Sequence, residues 1–284
     1  MPRARKQFAQ HWLQSEKALG KIVAAAGLSN SDRVLEIGPG TGVLTRQLLP
    51  LTQSVVAVEI DRDLCAVLAK KLGKYENFLL LQGDFLTLDL DAFLVPFPNF
   101  QSPNKVVANI PYNITGPILE KLLGTISAPN PKSCDRIVLL VQKEVALRLC
   151  AKPGSTHFGA LSVRVQYLAE VEFICDVPAS AFQPAPKVDS AVIRLHPRAM
   201  EQPPQNPRHM DMLLKLGFAS RRKMLRNNLK SVIEAEDLSF ILDQLGINLQ
   251  ARAEDLGVGD WIRLSDRLLP TLTPPGSPSL PVKE

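Results

Sequence analysis

Residues 34–45 run Val-Leu-Glu-Ile-Gly-Pro-Gly-Thr-Gly-Val-Leu-Thr (VLEIGPGTGVLT), and the rest of the chain is best understood from this stretch outward. Val34, Leu35 and Ile37 make a short buried strand that enters a glycine-rich turn and then the first turn of a helix. Gly38, Gly40 and Gly42 stand at every second position, so the backbone can take positive φ and approach a ligand with no Cβ atoms in the way. In an open α/β sheet such a strand end is where nucleotide-like ligands bind. A dinucleotide fingerprint would need glycine at position 43, where Val43 stands. Glu36, two residues before the first glycine, is also a poor neighbour for a pyrophosphate. An adenosine-containing ligand with a positive centre fits better, and S-adenosylmethionine is the obvious candidate. Taken alone, the turn is equally compatible with a tight strand–helix connection.

The bulk properties narrow the class. A chain of 284 residues, 45% hydrophobic and 21% charged, can bury a sizeable core in one large or two ordinary domains. Its net charge of +5 leans mildly towards a polyanionic partner. No run of 18 apolar residues is present, so no membrane span is expected. The basic start MPRARKQFAQHW lacks the apolar core of a secretory signal, and a cytoplasmic location is expected. Cys65, Cys134, Cys150 and Cys175 are far apart with no C-x-x-C pair, and the four histidines cluster with neither cysteines nor carboxylates. Neither a disulfide nor a metal site is expected.

Along the chain, residues 1–11 form a basic arm with Arg3, Arg5 and Lys6. Trp12 to Ala26 has helical spacing and can end at Gly27. After the opening strand and a helix over 43–49, strands are expected at 55–60, 78–81, 106–108 and 137–141. Helices are expected at 63–72, 118–126 (capped by Thr115), 142–150 and 159–168. Residues 89–104, with three prolines, are expected to be an irregular connection. The segments 171–175 and 188–195 should close the run as an antiparallel pair. The expected fold is therefore α/β, a mostly parallel Rossmann-like sheet covered on both faces and spanning residues 1–199. A polar, proline-rich break at 200–207 precedes purely helical patterns at 210–218, 222–233, 240–245 and 261–268, a small all-helical domain over 200–269. Residues 270–284 hold five prolines and are expected to be a disordered tail.

Several side chains at expected strand ends suit an adenosine ligand and an amine substrate. Glu59 ends the second strand of the sheet, 21 residues past Gly38, where a carboxylate can accept from both ribose hydroxyls. Asp84, after the third, can accept from an exocyclic adenine amine; the competing reading is an Asx turn leading into Phe85. Asn109-Ile110-Pro111-Tyr112 is more specific. Pro111 stiffens the turn and removes a donor, which leaves the Asn109 side-chain oxygen and the Ile110 carbonyl free to accept from one amine. Drawing on both N–H bonds twists the nitrogen out of conjugation, and Tyr112 offers a ring for the base to stack on.

The set VLEIGPGTGVLT, VVAVEID, GDF and NIPYNI resembles the S-adenosylmethionine-dependent ribosomal RNA adenine N6-dimethyltransferase family (the KsgA-like enzymes), whose fold is the class I methyltransferase sheet with a helical domain. Further matches cover nearly the whole chain: FAQHWL at 8–13, QKEVALR at 142–148, PASAFQPAPKVDSAVIRL at 178–195 and FASRRKMLRNNL at 218–229. The resemblance implies that His11, Leu13, Gly38, Gly40, Glu59, Ile60, Asp84, Phe85 and Asn109 line the cofactor site. It implies that Asn109, Ile110, Pro111 and Tyr112 orient the target amine, with the base stacked between Tyr112 and Phe182. The family's usual pattern has Asn at the position of His11 and Gly at that of Ala9. It further implies small-subunit (16S) ribosomal RNA and the small ribosomal subunit as partners, no metal, and a monomer. A large-subunit RNA methyltransferase and an assembly factor acting mainly by binding share these motifs.

Charge distribution agrees with an RNA partner. Between Arg198 and Lys230 eight basic residues stand against Glu201 and Asp211. Arg222, Arg226 and Lys230, spaced i, i+4, i+8, should form a basic stripe on one helix, with Arg221 and Lys223 beside it.

Overall fold

The computed structural model describes residues 10–132 and 134–269. Most of the expected basic arm and all of the proline-rich tail lie outside these residues. A two-residue strand β1 (Trp12–Leu13) and helix α1 (Glu16–Ala26) lead to β2 (Arg33–Ile37), α2 (Val43–Leu48), β3 (Ser54–Glu59), α3 (Arg62–Leu72) and β4 (Phe78–Gln82). There follow α4 (Leu90–Leu94), β5 (Lys105–Asn109), α5 (Thr115–Leu123), β6 (Arg136–Gln142), α6 (Lys143–Leu149) and α7 (Ala160–Leu168). The strands end with β7 (Ala169–Val177), β8 (Phe182–Gln183) and β9 (Ser190–Pro197).

Seven strands form one sheet in the order β4-β3-β2-β5-β6-β9-β7. The first five run parallel, and β9 and β7 are antiparallel additions. The expected Rossmann-like sheet is thus observed. Its strands are continuous apolar runs because helices cover the sheet: Val55, Val56, Ala57, Val106, Val107 and Ala108 are all buried. On α1 the buried positions Ala18, Leu19, Ile22, Ala25 and Ala26 form the face that packs on the sheet.

Three local expectations change. The first helix starts at Glu16, not Trp12: the Ser15 side chain accepts from Ala18 N–H and fixes the start. Trp12 and Leu13 instead pair antiparallel with Gln183 and Phe182 as a separate two-stranded sheet. The connection 89–104 is more regular than its prolines suggest, because Asp89 caps α4 by accepting from Ala92 N–H and Pro98–Phe100 form a 3-10 turn that buries Phe100. Helix α5 begins at Thr115 itself and stops at Leu123, where Gly124 takes φ +80°.

Contacts divide the chain into two units. The first runs to Cys150 and resumes for Leu168–Ala199; the second takes Ala151–Tyr167 and the chain from Met200 on. The 151–167 segment was expected with the sheet. It groups with the later helices through an Arg164–Asp211 ion pair and Gly154 N–H donation to the Glu254 carbonyl. The second unit contains α8 (Pro207–Gly217), α9 (Leu225–Asn228), α10 (Ala235–Gln244) and α11 (Val258–Leu268). Its core is built on the fully buried Trp261 with Leu213, Leu225, Leu238 and Leu264. Gly217 is required there, since a Cβ would lie 2.4 Å from the Trp261 ring.

The single helix expected over 222–233 does not form. Leu225 N–H donates to the Ala251 carbonyl rather than into a preceding helical turn, and Asn228 Nδ2 donates to the Gly217 and Ser220 carbonyls. These bonds fold the segment into turns around a four-residue helix, so Arg222, Arg226 and Lys230 do not share one helix face.

At the end of the sheet away from the strands' carboxyl termini, Asp32 clamps three elements. Its carboxylate accepts from Lys105 Nζ (2.8 Å), Asn104 Nδ2 (2.8 Å) and Ser29 N–H (2.6 Å), and the same ammonium donates to the Gly27 carbonyl (2.6 Å). Burial raises the Asp32 carboxyl, but the bonds from Lys105, Asn104 and Ser29 together outweigh it and hold it at about 2. Asp32→Asn leaves the buried Lys105 ammonium without its counter-charge and should cost about 3 kcal/mol in urea unfolding at pH 7. Because the folded pKa is depressed, the wild-type advantage should be present above pH 3.8 and fade as pH falls towards 2. Equal stability of the two proteins at pH 7 would show that the clamp contributes nothing.

Candidate active site

β2 and β5 are hydrogen-bonded neighbours through only two residue pairs, Val34–Lys105 and Leu35–Val106, whereas β2 and β3 pair along five. The strands on either side of β2 connect in opposite directions, and their loops part beyond Leu35. A cavity of about 130 Å³ opens there at the carboxyl end of the sheet.

The glycine turn forms one wall, and its glycines answer different demands. Gly38 (φ +68°) has only Pro111 Cδ near a would-be Cβ, at 3.9 Å, so its backbone stays open to the cavity. Gly40 (φ +59°) lies under the Trp12 ring, 3.4 Å from the position a Cβ would take. Gly42 (φ +78°) meets Leu68 and Leu72 of α3, so its requirement is packing rather than ligand approach. Glu59 ties this turn to β3: Oε2 accepts from Gly40 N–H (3.0 Å) and Oε1 from Asp61 N–H (2.9 Å). Burial raises its carboxyl above the usual range.

Asp84 forms the expected Asx turn and also faces the cavity. One carboxylate oxygen accepts from Leu86 N–H at 2.9 Å, an Asx turn, while the side chain lines the cavity beside Phe85. Ile60, 45% exposed, lies at the same rim.

The Asn109–Tyr112 turn lines the wall across from the glycines. Asn109 Nδ2 donates to the His11 carbonyl (3.3 Å), which leaves Oδ1 as the group available to accept from a substrate. The Tyr112 hydroxyl is held by Ser190 Oγ at 2.5 Å, and burial raises the phenol. Ser190, fully buried on β9, was not singled out in the sequence, where it is one serine in an apolar strand.

His11 and Leu13 line the cavity as expected. The His11 ring stacks on Tyr112, with centroids 6.1 Å apart and planes 16° from parallel, and Nδ1 donates to the Pro184 carbonyl (2.8 Å). The contact to Asn109 runs through the His11 backbone, which any residue supplies.

Phe182 lies apart from the other residues singled out for the site. Its side chain is 3% exposed, packs in the core with Leu13, Ala181 and Val192, and does not line the cavity. Pairing of β8 with β1 places the ring inward beneath the strand that carries Leu13.

The basic residues of the second unit also sort differently from the expectation. Arg221 is engaged: Nε donates to Glu254 (2.8 Å), and the guanidinium also bonds the Thr156 carbonyl. Arg222, Lys223 and Lys230 are exposed, and Arg226 is half-buried.

Sequence reasoning treated Glu36 only as an obstacle to pyrophosphate. It is 1% exposed, lines the cavity, and its Oε2 has no hydrogen-bond partner among the described residues. The same holds for Trp12 Nε1 in the same cavity. Two orphaned polar atoms in one wall mark a place built for a polar ligand. Burial outweighs the hydrogen bonding from Thr45 and, with a smaller contribution from the Glu59 charge, pushes the Glu36 carboxyl up to about 8.

A raised folded pKa gives stability that is full below pH 4.5 and lost as pH rises through 8. Glu36→Gln, which mimics the protonated form, should therefore gain on the order of 4 kcal/mol relative to wild type between pH 5 and pH 9. Parallel stability–pH curves for the two proteins in urea unfolding would contradict this.

Among the described residues no group of His, Cys, Asp and Glu is placed to hold a metal ion, and no helix is long and apolar enough to cross a membrane. Comparison with known proteins agrees with the geometry. Residues 1–269 match the family model for ribosomal RNA adenine dimethylase. A ribosomal RNA small subunit methyltransferase A from Nostoc punctiforme is 70% identical, covering 94% of this chain and 96% of the relative. The protein of that name from Synechocystis is 59% identical over 96% of this chain and 99% of its own. A dimethyladenosine transferase crystal structure from Plasmodium falciparum superposes with TM-score 0.73 at 28% identity, covering 89% of this chain and 96% of its own. The 23S rRNA methyltransferase ErmE does so with TM-score 0.71 at 29% identity, covering 90% and 99%. With the family model matched over residues 1–269 and the NIPY turn facing the cavity at the β2–β5 crevice, the chain belongs to the ribosomal RNA adenine dimethylase family.

Proposed function

We propose that this protein dimethylates N6 of two adjacent adenosines near the 3′ end of small-subunit ribosomal RNA, using S-adenosylmethionine. In this reading it acts in the cytoplasm as a monomer on the small ribosomal subunit and contributes to that subunit's biogenesis. The observation that carries the chemistry is the orientation of Asn109. With Nδ2 committed to the His11 carbonyl, Oδ1 is an acceptor at the cavity wall, next to the Ile110 carbonyl in sequence. The choice of RNA is supported by the small-subunit name shared by relatives 58–70% identical to this chain.

The cavity fits the cofactor. Glu59 would hold the ribose hydroxyls, Asp84 the adenine amine, and Gly38 with the Glu36 Oε2 atom the aminoacyl end. When bound, S-adenosylmethionine supplies a methyl group activated on a sulfonium. Asn109 and Ile110 accept from both N–H bonds of the target amine and so turn its lone pair out of the ring's π system. Tyr112, fixed by Ser190, presents a stacking face worth roughly 1–3 kcal/mol per base. Unstacking an adenine costs a few kcal/mol, so a single ring offsets part of it and phosphate contacts elsewhere must supply the rest. Catalysis is positioning and exclusion of water, with no covalent enzyme intermediate.

Asn109→Ala should lower turnover by on the order of 10²–10³-fold while S-adenosylhomocysteine still binds. The readout is transfer of tritiated methyl groups to undermethylated small subunits, with large subunits and free RNA alongside. Unchanged turnover removes the mechanism, and labelling of large-subunit RNA alone reverses the choice of substrate. Binding of immature subunits with no labelling by the wild type would favour an assembly factor. Arg222, Lys223 and Lys230, the exposed cations, should each contribute about one unit to the slope of log affinity against log salt when replaced by alanine. Replacing Arg221 should instead lower the thermal midpoint, since its charge is spent on Glu254.

A further inference from the structure

Lys121, between Glu120 and Leu122 near the end of α5, reaches the loop that follows β4. Its ammonium donates to three backbone carbonyls, those of Phe85 (2.6 Å), Leu86 (3.2 Å) and Leu88 (2.7 Å), and sits 4.9 Å from the centre of the Phe85 ring. An ammonium has three protons, and these three acceptors use all of them. The inner side of the same loop is organised by Asp84. Its side chain accepts from Leu86 N–H, and its carbonyl accepts from the N–H groups of Thr87 (3.1 Å) and Leu88 (2.9 Å). The loop therefore turns its N–H groups towards Asp84 and its carbonyls towards one cation. Three carbonyl dipoles converging on one point repel each other unless a positive charge stands there. Without the ammonium, the conformation that aims Asp84 into the cavity loses its counterweight.

We infer that Lys121 is a positioning residue for cofactor recognition: by gathering the carbonyls of residues 85, 86 and 88 it holds Asp84 where it can accept from the exocyclic amine of adenine. It thereby sets the preference for adenine over a base with an oxygen at that position. This rests on the assignment of Asp84 to the adenine. The helix carrying Lys121 begins directly after Tyr112–Ile114, so one rigid element joins the loop for the cofactor's base to the turn that orients the target amine.

The test uses the full chain and isothermal titration calorimetry with S-adenosylhomocysteine and its 6-oxo counterpart, S-inosylhomocysteine, after thermal unfolding has shown each variant to be folded. Lys121→Met keeps the side chain's length and removes the charge. It should weaken S-adenosylhomocysteine binding about tenfold, the scale of one lost hydrogen bond to a charged group, and leave S-inosylhomocysteine nearly unchanged. The ratio of the two affinities should fall to that of Asp84→Ala, and the double variant should be no worse than Asp84→Ala alone. Lys121→Arg, which keeps a cation with several donors, should recover part of the ratio. In the methyl-transfer assay KM for the cofactor should rise in Lys121→Met while kcat at saturation holds. A folded Lys121→Met with the wild-type affinity ratio, or losses that simply add in the double variant, would overturn this inference alone. An unchanged ratio in Asp84→Ala would overturn the adenine assignment and this inference with it. Should Lys121→Met not fold, Lys121→Gln, with a neutral donor in place of the cation, must show the same narrowing of the ratio.

Discussion

The parting of β2 from β5 is the constraint on which the rest of the site depends. Two parallel neighbours that share only two residue pairs must diverge, and the loops leaving them lead to opposite sides of the sheet. Glu36, Gly38, Glu59, Asp84 and Asn109 stand at the carboxyl ends of β2, β3, β4 and β5, around the opening this divergence leaves. The opposite end of the same strands is closed by the buried Asp32–Lys105 pair. The sheet is thus stapled where it must be rigid and left open where backbone and side-chain groups must meet a ligand.

Within that opening, one backbone bond does more than its length suggests. The His11 carbonyl accepts from Asn109 and so chooses which end of the amide faces the cavity. The segment that supplies this carbonyl is held by short pairing with β8, by Gln14 N–H donation to the Ala181 carbonyl and by the His11–Pro184 bond. The covering strand, the Asn109 amide and the loop after β7 therefore form one connected structure. Burial of Phe182 is a consequence of that pairing, as its ring lies on the core side of the strand.

Electrostatics in the two ends of the first unit run in opposite senses. Asp32 is buried with a cation and three further donors, and its carboxyl is held low. Glu36, four residues later and inside β2, is buried near another carboxylate with no cation, and is pushed up. The first arrangement stabilises the fold by pairing. The second costs stability at neutral pH and is the kind of expense that buried functional groups impose. A positive ligand centre in the cavity would relieve it.

Much of this was legible in residue order because the signals are local. The apolar runs at 34–37, 55–60, 106–108 and 137–141, with the glycine turn and NIPY, specify strand ends and turn chemistry within a few residues, and every cavity residue inferred from them lines the cavity. The spacing Arg222, Arg226, Lys230 failed because helix formation there is decided by distant partners: the carbonyls of Ala251, Gly217 and Ser220 take the bonds that a continuous helix would have kept. Trp12 and Leu13 likewise have helical spacing, and only pairing with residues 182–183 makes them a strand. The sequence alone determined the sheet, the crevice and the chemistry of its rim. Only the tertiary structure decided that Phe182 is core, that Glu36 is a buried acid, that Ser190 holds Tyr112 and that Lys121 gathers the Asp84 loop, because each is a contact between segments at least 30 residues apart or a burial that no local pattern encodes.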